Sequence, residues 1–509
     1  MKFVVVGGGT AGWLTALYLK KNIAYSNVTV IASSEIGILG AGEGTNWDFI
    51  KFLKDIDVPV DGVIKHARGT FKNGIKFTNW NGDGEHYYHP FQDHLGKESD
   101  PTKNKFDPIP FYLHKLADNK NFNDLQFTSI ISEDNRVKYV NDTQEELGLS
   151  ALHFDANLLA QYLQDIGIER GIRLIDDEVT EIITNKKGDI SELKLKSGEV
   201  CETTFVFDCS GFKRLIIGNF YKSEWIDYQD SLPVNRAIPF FIEHDDKEIP
   251  PYTEAIAMKY GWMWKIPVQG RFGCGYVFDS RVVSDDDIKQ EIAEYLGVEP
   301  AFPRVFDFKP GVYKDTWINN CIAIGLSSGF VEPLEATSIQ VSTFALRSFS
   351  LRINDMIRNR KIASAEFNQE VKQINDHILS FLHFHYLSKR NDTDFWKSFA
   401  DNNVTPPFVK KFNEIAKKTL PRERDHEYLT ITTCPKGIAP KNPFSIYSWH
   451  MVGAGINYFN TNTASRDLEQ YPNFNLEESK LKLLSTLNSF ADKTYKHTDY
   501  IEYLKKYES

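Results

Sequence analysis

Gly7, Gly9 and Gly12 fall at the spacing GxGxxG in Gly7-Gly8-Gly9-Thr10-Ala11-Gly12. That spacing suits a phosphate-rich ligand. Gly7 permits a tight turn, Gly9 lets the backbone approach a pyrophosphate, and Gly12 permits close packing of a helix on a strand. Far downstream stands Trp262-Met263-Trp264-Lys265-Ile266-Pro267. Read as a strand, it turns Trp262 and Trp264 to one face, because side chains alternate with period 2. Two adjacent indoles make a large rigid wall, and Pro267, lacking an amide hydrogen, is expected to end the strand. A WxW pair alone is most often core packing.

The elements around the glycines fit the ligand. Phe3–Val6 is a short apolar β run, Trp13–Lys21 has helical periodicity, and a second strand is expected at Val28–Ile31. This strand, turn and helix aim free N–H groups of Thr10, Ala11 and Gly12 and a positive dipole end at phosphates. The acidic residue that usually closes the second strand is missing. Ser33, Glu35 or backbone groups are left to recognise a ribose. Thr204–Phe207, ending in Asp208-Cys209-Ser210-Gly211-Phe212, and Cys321–Ile324, ending in Gly325, read as two further strands with small-residue turns. Such widely separated turns suit an extended ligand clamped at several points, which favours FAD over NAD. Lys187-Gly188-Asp189 marks a hairpin turn between two alternating segments.

At 509 residues the chain exceeds one simple core, and two interlocked modules or one large α/β enzyme are expected. Lys and Arg total 59 against 69 Asp and Glu, so the net charge of −10 argues against nucleic acid as a partner. No apolar run is long enough to cross a bilayer, and the glycine turn comes too early for a signal peptide. No membrane association and a cytoplasmic location are therefore expected. The 5 cysteines form no CxxC pair, so neither zinc nor a disulfide framework is expected. The segment 364–399 is helical in pattern and aromatic-rich, with His377, Phe381, Phe384 and His385, and reads as helices over a substrate cavity rather than a metal site.

Taken together, these motifs resemble the flavin-dependent halogenases, the family that includes the tryptophan halogenases. The resemblance rests on the glycine turn followed by Trp13, on Leu39-Gly40-Ala41-Gly42-Glu43-Gly44-Thr45, and on His153-Phe154-Asp155-Ala156. It continues through Asp208–Phe212, the WxWxIP hexad, Arg271-Phe272-Gly273-Cys274-Gly275-Tyr276, Phe330-Val331-Glu332-Pro333-Leu334-Glu335 and Asp392-Thr393-Asp394-Phe395-Trp396. The order is the family's order, and similarity fades after about residue 400. The resemblance implies an α/β fold: a Rossmann-like FAD-binding module of the glutathione-reductase/aromatic-hydroxylase type with a mostly helical substrate module. The expected bounds are 1–350 for the first, interrupted by about 82–150 on the substrate side, and 351–509 for the second. It places Gly7, Gly9, Thr10, Ala11, Gly12, Ser33, Gly42, Glu43, Gly325 and Pro333 at FAD.

The implied reaction uses reduced FAD, O2 and a halide ion to make hypohalous acid, with the reduced flavin supplied by a separate flavin reductase. A lysine then delivers electrophilic halogen to an electron-rich carbon. Lys72 matches that position and Lys76 is its neighbouring competitor. An ammonium can hydrogen-bond the acid, and a neutral amine can become a haloamine; either gain is positional. Glu335 matches the acid that stabilises the arene cation and takes its proton, with Glu332 as the rival. The halide site maps to the backbone amides of Thr337 and Ser338. Ala336 and Ser338 depart from the family's serine and glycine, which leaves chloride, bromide and iodide all open.

On the substrate side, His89 and Phe91 match residues that sandwich an aromatic ring, an arrangement worth ~0.5–1.5 kcal/mol per pair beyond burial. The family's C-terminal tyrosine pair is absent from Ser445–Met451, where Trp449 and His450 are candidate pocket residues. A neutral indole, phenol or similar electron-rich arene is therefore expected in place of free tryptophan. Trp262 and Trp264 are expected near the flavin, where they keep the organic substrate away. The alternatives are an FAD-dependent aromatic hydroxylase or reductase, and a non-catalytic flavin-binding protein; neither needs both Lys72 and Glu335. A homo-oligomer stays open.

Overall fold

The structure, a computed structural model, describes residues 1–37, 44–91, 108–141, 143–402, 404–422, 424–425 and 443–506. The strand Lys2–Val6 is apolar and buried from Phe3 onward, as a strand covered on both faces must be. It lies inside a six-stranded sheet ordered Trp317–Ile318, Cys321–Ala323, Phe205–Asp208, Lys2–Val6, Asn27–Ala32 and Arg173–Asp176. All neighbours are parallel except the first two. The chain leaves Lys2–Val6 toward one edge and returns on its other side at Phe205–Asp208. The crevice at those carboxyl ends is thus the switch point where α/β sheets bind ligands.

A second sheet has seven strands, ordered Phe306–Asp307, Arg236–Glu243, Arg271–Phe278, Gly261–Val268, Tyr252–Ala257, Gly74–Thr78 and His86–Pro90. Its centre is the WxWxIP strand. Pro267 does not end that strand, which runs on to Val268. The pairing explains this. On one side the neighbour Tyr252–Ala257 reaches only as far as Lys265, so no ladder bond is asked of the proline nitrogen there. Trp264 lies opposite Gly275, where a Cβ would come within 2.1 Å of the indole, so glycine makes room for the ring.

The expected hairpin forms between Val179–Thr184 and Ile190–Leu195. A two-stranded pair joins Thr70–Lys72 to Ala151–His153. The long helix Ile353–His385 kinks at Asn359 and ends with the buried residues Phe381, Leu382, His383, Phe384 and His385. Near the C-terminus, Thr494–Lys496 pairs with Arg136–Val140 and leads into the helix His497–Lys506. One apolar core runs from Phe3 to Ile501 and gathers residues from both sheets and the helices.

Candidate functional site

At the switch point Gly7 has φ +120°, and a Cβ there would lie 2.2 Å from the Cys209 carbonyl oxygen, so the turn requires glycine. A Cβ on Gly9 would meet nothing within 4 Å, which leaves its backbone open to a ligand. The helix Thr10–Asn22 has no side-chain cap among the described residues and no acid in its first turn, so the N–H groups of Thr10, Ala11 and Gly12 and the positive helix end face the crevice. Gly325 brings the last turn against Ala11. Trp13 Nε1–H, beside Gly8, is buried without a partner among the described residues. Open backbone, an uncapped helix start and an orphaned donor fit a dinucleotide such as FAD. Asp208 organises the adjacent loop by accepting from Ser210, Ile216 and Ile217 amides. Ser33, just past the second strand, is partly buried, whereas Glu35 is exposed and ion-paired with Lys196 at 3.1 Å. A carboxylate beside Ser34 comes from Asp176 of the neighbouring strand, which accepts from Ser34 N–H at 2.7 Å. Gly42 and Glu43 lie outside the described residues.

Lys72 is fully buried on the short strand Thr70–Lys72. Its Nζ donates to the Thr45 carbonyl at 2.9 Å and stands 5.6 Å from the centre of the Phe91 ring. Burial lowers the amine to about 8, against the pull of the Glu335 carboxylate, which raises it. Lys76 sits on the next strand against Tyr88 and Tyr252 and is partly exposed. Thr70 ties the lysine strand to the hexad. Its hydroxyl donates to the Pro267 carbonyl at 2.6 Å and so must accept from His153 Nδ1–H at 3.1 Å, while His153 Nε2 accepts from Thr253.

Glu335 is buried on a turn where both it and Ala336 take left-handed backbone, φ 64° and 53°. Such conformations are costly for residues with a Cβ, and here they aim the carboxylate inward. It receives His89 Nδ1 at 2.8 Å and His385 Nε2 at 3.1 Å. Burial pushes this carboxyl up, but His89 and His385 outweigh it and hold it at about 2. The turn is closed by Ala336 N–H donating to the Pro333 carbonyl at 3.1 Å. Directly after it, Thr337 precedes the helix Ser338–Leu351, whose N-terminal amides carry no side-chain cap. The two candidate halide amides thus open a helix at its positive end.

Glu332 is separate from this cluster. It is buried, pushed up to about 8 by burial, and accepts from Tyr386 Oη–H at 3.0 Å. Tyr386 in turn accepts from Trp262 Nε1–H at 3.0 Å. Trp262 and Trp264 share a face with ring centres 6.2 Å apart.

His89 and Phe91 both border this region. Lys138 Nζ fixes Phe91 by donating to its carbonyl at 2.9 Å. Trp449 is buried among Phe384, Phe408 and Phe412 and is linked to His89 through Phe381. His450 likewise turns to the Pro421 carbonyl. The ring near His89 is Phe444, 6.2 Å away and stacked at 3.9 Å on Phe381. Phe444 carries no sequence signal beyond being aromatic near the expected segment. His385 was visible as part of an aromatic helix, but its contact with Glu335 spans 50 residues. Among the described residues no group of three or more His, Cys, Asp or Glu could hold a metal ion, and no helix is long and apolar enough to cross a membrane.

A family model described as tryptophan halogenase matches residues 2–466. The chain is 33% identical to tryptophan 6-halogenase SttH of Streptomyces toxytricini over 438 residues, covering 81% of this chain and 83% of that one. It is 32% identical to tryptophan 7-halogenase RebH of Lentzea aerocolonigenes over 437 residues, 81% of each chain. The crystal structure of SttH superposes with a TM-score of 0.84 at 28% identity, covering 99% of both chains. Sequence and fold agree over nearly the whole length, and the chain belongs to the tryptophan halogenase family of flavin-dependent enzymes.

Proposed function

We propose that this halogenase acts on a neutral, electron-rich arene, indole- or phenol-like and not free tryptophan, with Lys72 presenting hypohalous acid and Glu335 receiving the ring proton. The observation that carries the reading is the pairing of a buried ammonium and a buried carboxylate within electrostatic reach of each other, beside the rings of His89 and Phe91.

Gly7, Gly9, Thr10, Ala11, Gly12, Gly325 and Pro333 would hold FAD at the switch point, and the reduced cofactor with O2 would supply the oxidising power for converting halide to hypohalous acid. A separate flavin reductase supplies the reduced flavin. Thr337 and Ser338 hold the halide through their amides. Trp262 and Trp264 form an indole wall, and Tyr386 and Glu332 lock Trp262 in place. Lys72 donates hydrogen bonds to hypohalous acid and fixes its direction. As the halogen–oxygen bond breaks and the carbon–halogen bond forms, the oxygen leaves as water with a proton from Lys72. The arene cation then gives its proton to Glu335. With Lys72 at about 8 and Glu335 at about 2, return of that proton to Lys72 is downhill and resets the site.

The substrate reading rests on apolar surroundings. Phe444 and Phe381 line the approach to His89, and Tyr447 is 40% exposed with its ring edge-on to His450. The family's tyrosine pair is absent from Ser445–Met451, which removes the expected grip on a charged amino-acid end. The relatives act at different tryptophan carbons by name, so the carbon attacked here follows from pocket shape. The test is a substrate panel with reduced FAD run separately in chloride, bromide and iodide. Indole-like or phenolic arenes are expected to turn over and free tryptophan to turn over poorly; efficient tryptophan conversion would overturn the substrate reading. A hydroxylated product would favour the hydroxylase alternative.

A further inference from the structure

The strand that holds Lys72 is three residues long, and its partner Ala151–His153 secures only one edge. The Phe71 backbone N–H donates instead to Nε2 of His497 at 2.9 Å, across 426 residues of sequence. Because Nε2 accepts, the ring proton sits on Nδ1, which donates to the Ile249 carbonyl at 2.9 Å. His497 is fully buried and has no room for a second proton without opposing the Phe71 N–H. The imidazole is itself held on several sides. Its backbone N–H donates to the Asn135 carbonyl at 2.8 Å, the preceding strand pairs with Arg136–Val140, and Lys496 Nζ donates to the Asp134 carbonyl. The Phe71 ring is wedged against Tyr139 and Tyr500, each at 5.2 Å. The family match ends at residue 466, so this anchor comes from chain that the family model does not reach.

We propose that His497 is a positioning residue for Lys72: its ring nitrogen fixes the Phe71 amide and thereby the direction in which the neighbouring amine enters the cavity. This rests on the reading of Lys72 given above. The consequence is kinetic. A loosened strand lets hypohalous acid form but fail to be aimed, so the acid escapes in place of reacting with the arene.

The pH behaviour follows from the same contacts. Burial drives His497 down to about 4, against the Ile249 and Pro250 carbonyls that favour its charged form. His153 on the partner strand, Tyr139, Tyr500, and Lys496 and Asp499 beside it are the other titratable groups around it. Neutral His497 is held through the range in which the enzyme would work, and the anchor is lost only as pH falls toward 4.

The full-length chain tests this with two variants. Glutamine places an acceptor near Nε2, whereas asparagine reaches only the Nδ1 position and leaves the Phe71 N–H unpaired. His497→Gln should keep the wild-type ratio of arene product to free hypohalous acid, the latter read with a soluble 1,3-diketone trap. His497→Asn should lower arene kcat about tenfold, leave arene KM within about twofold, and raise trapped acid correspondingly, with FAD binding unchanged. Lys72 should also titrate nearer the ordinary lysine value in His497→Asn than in the wild type, read by pH-dependent amine labelling and mass spectrometry. A loss of global stability alone would move neither the ratio nor that titration in folded protein. An unchanged ratio and titration in His497→Asn would overturn the proposal. If Lys72→Ala abolishes arene product while His497→Asn changes nothing, only the anchor fails; if Lys72→Ala itself is without effect, the underlying reading fails.

Discussion

His385 Nε2 stands 3.1 Å from Glu335 Oε1, while the Nδ1 of the same ring faces the Phe381 carbonyl at 2.7 Å. A carbonyl cannot donate, so Nδ1 carries a proton. The contact with Glu335 then contains a second proton, which lies on the imidazole side while the carboxyl is ionised. His89 Nδ1 meets the same carboxyl at 2.8 and 2.9 Å. Two histidines therefore define the charge of the proposed proton acceptor, in a place with almost no solvent contact.

Glu335 should stay ionised far into acid. Its carboxyl is lowered from 4.5 to about 2, so this group contributes stability above pH 4.5 that is lost as pH falls through 2. Its protonation should leave no limb in the halogenation rate between pH 5 and 7. His385→Phe removes one partner and should bring an acidic limb into that range; a flat profile in the variant would show that His385 does not set the charge. Glu335→Gln should slow arene halogenation about 100-fold with FAD binding intact, and an unchanged rate would move the proton to another group.

Lys72 should titrate near pH 8. Burial lowers the amine from 10.5, so the ammonium predominates below 8 and is lost above it. Because the ammonium is the form that donates to hypohalous acid and to the departing oxygen, arene halogenation should decline as pH rises through 8. A rise through the same range would indicate a neutral amine that becomes a haloamine.

Glu332 gives a stability prediction independent of turnover. Its pKa is raised from 4.5 to about 8, so its contribution is present below pH 4.5 and is lost as pH rises through 8, where a charge must be carried without a cation beside it among the described contacts. Glu332→Gln should remove that loss. Its melting temperature should exceed wild type by on the order of a few degrees at pH 9 and differ little at pH 5. Equal differences at both pH values would contradict the buried neutral carboxyl.

Legibility in the sequence followed distance along the chain. The glycine turn, the strand before it and the helix after it lie within about twenty residues, and periodicity and turn chemistry place all three. The shared face of Trp262 and Trp264 follows from strand alternation alone. Pro267 stays within its strand because its tolerance depends on where the neighbouring strand's pairing stops, at Glu254 and Lys265, which lies outside any local pattern. The surroundings of Glu335 join residues 89, 335 and 385, and the grip on Lys72 joins residues 71 and 497. No local pattern carries such pairings. Trp449 lies in a segment legible as aromatic, but only the fold shows that its ring packs on Phe384, Phe408 and Phe412 while Phe444 is the ring 6.2 Å from His89.

The central claim is that Lys72 aims hypohalous acid at the arene after the acid has formed elsewhere. Lys72→Met keeps the volume and removes the buried charge, so the fold should hold. With reduced FAD, O2 and bromide, this variant should bind FAD normally and should release hypobromous acid to a soluble trap, while arene product falls by about 100-fold or more. Arene bromination at the wild-type rate by Lys72→Met would contradict the account.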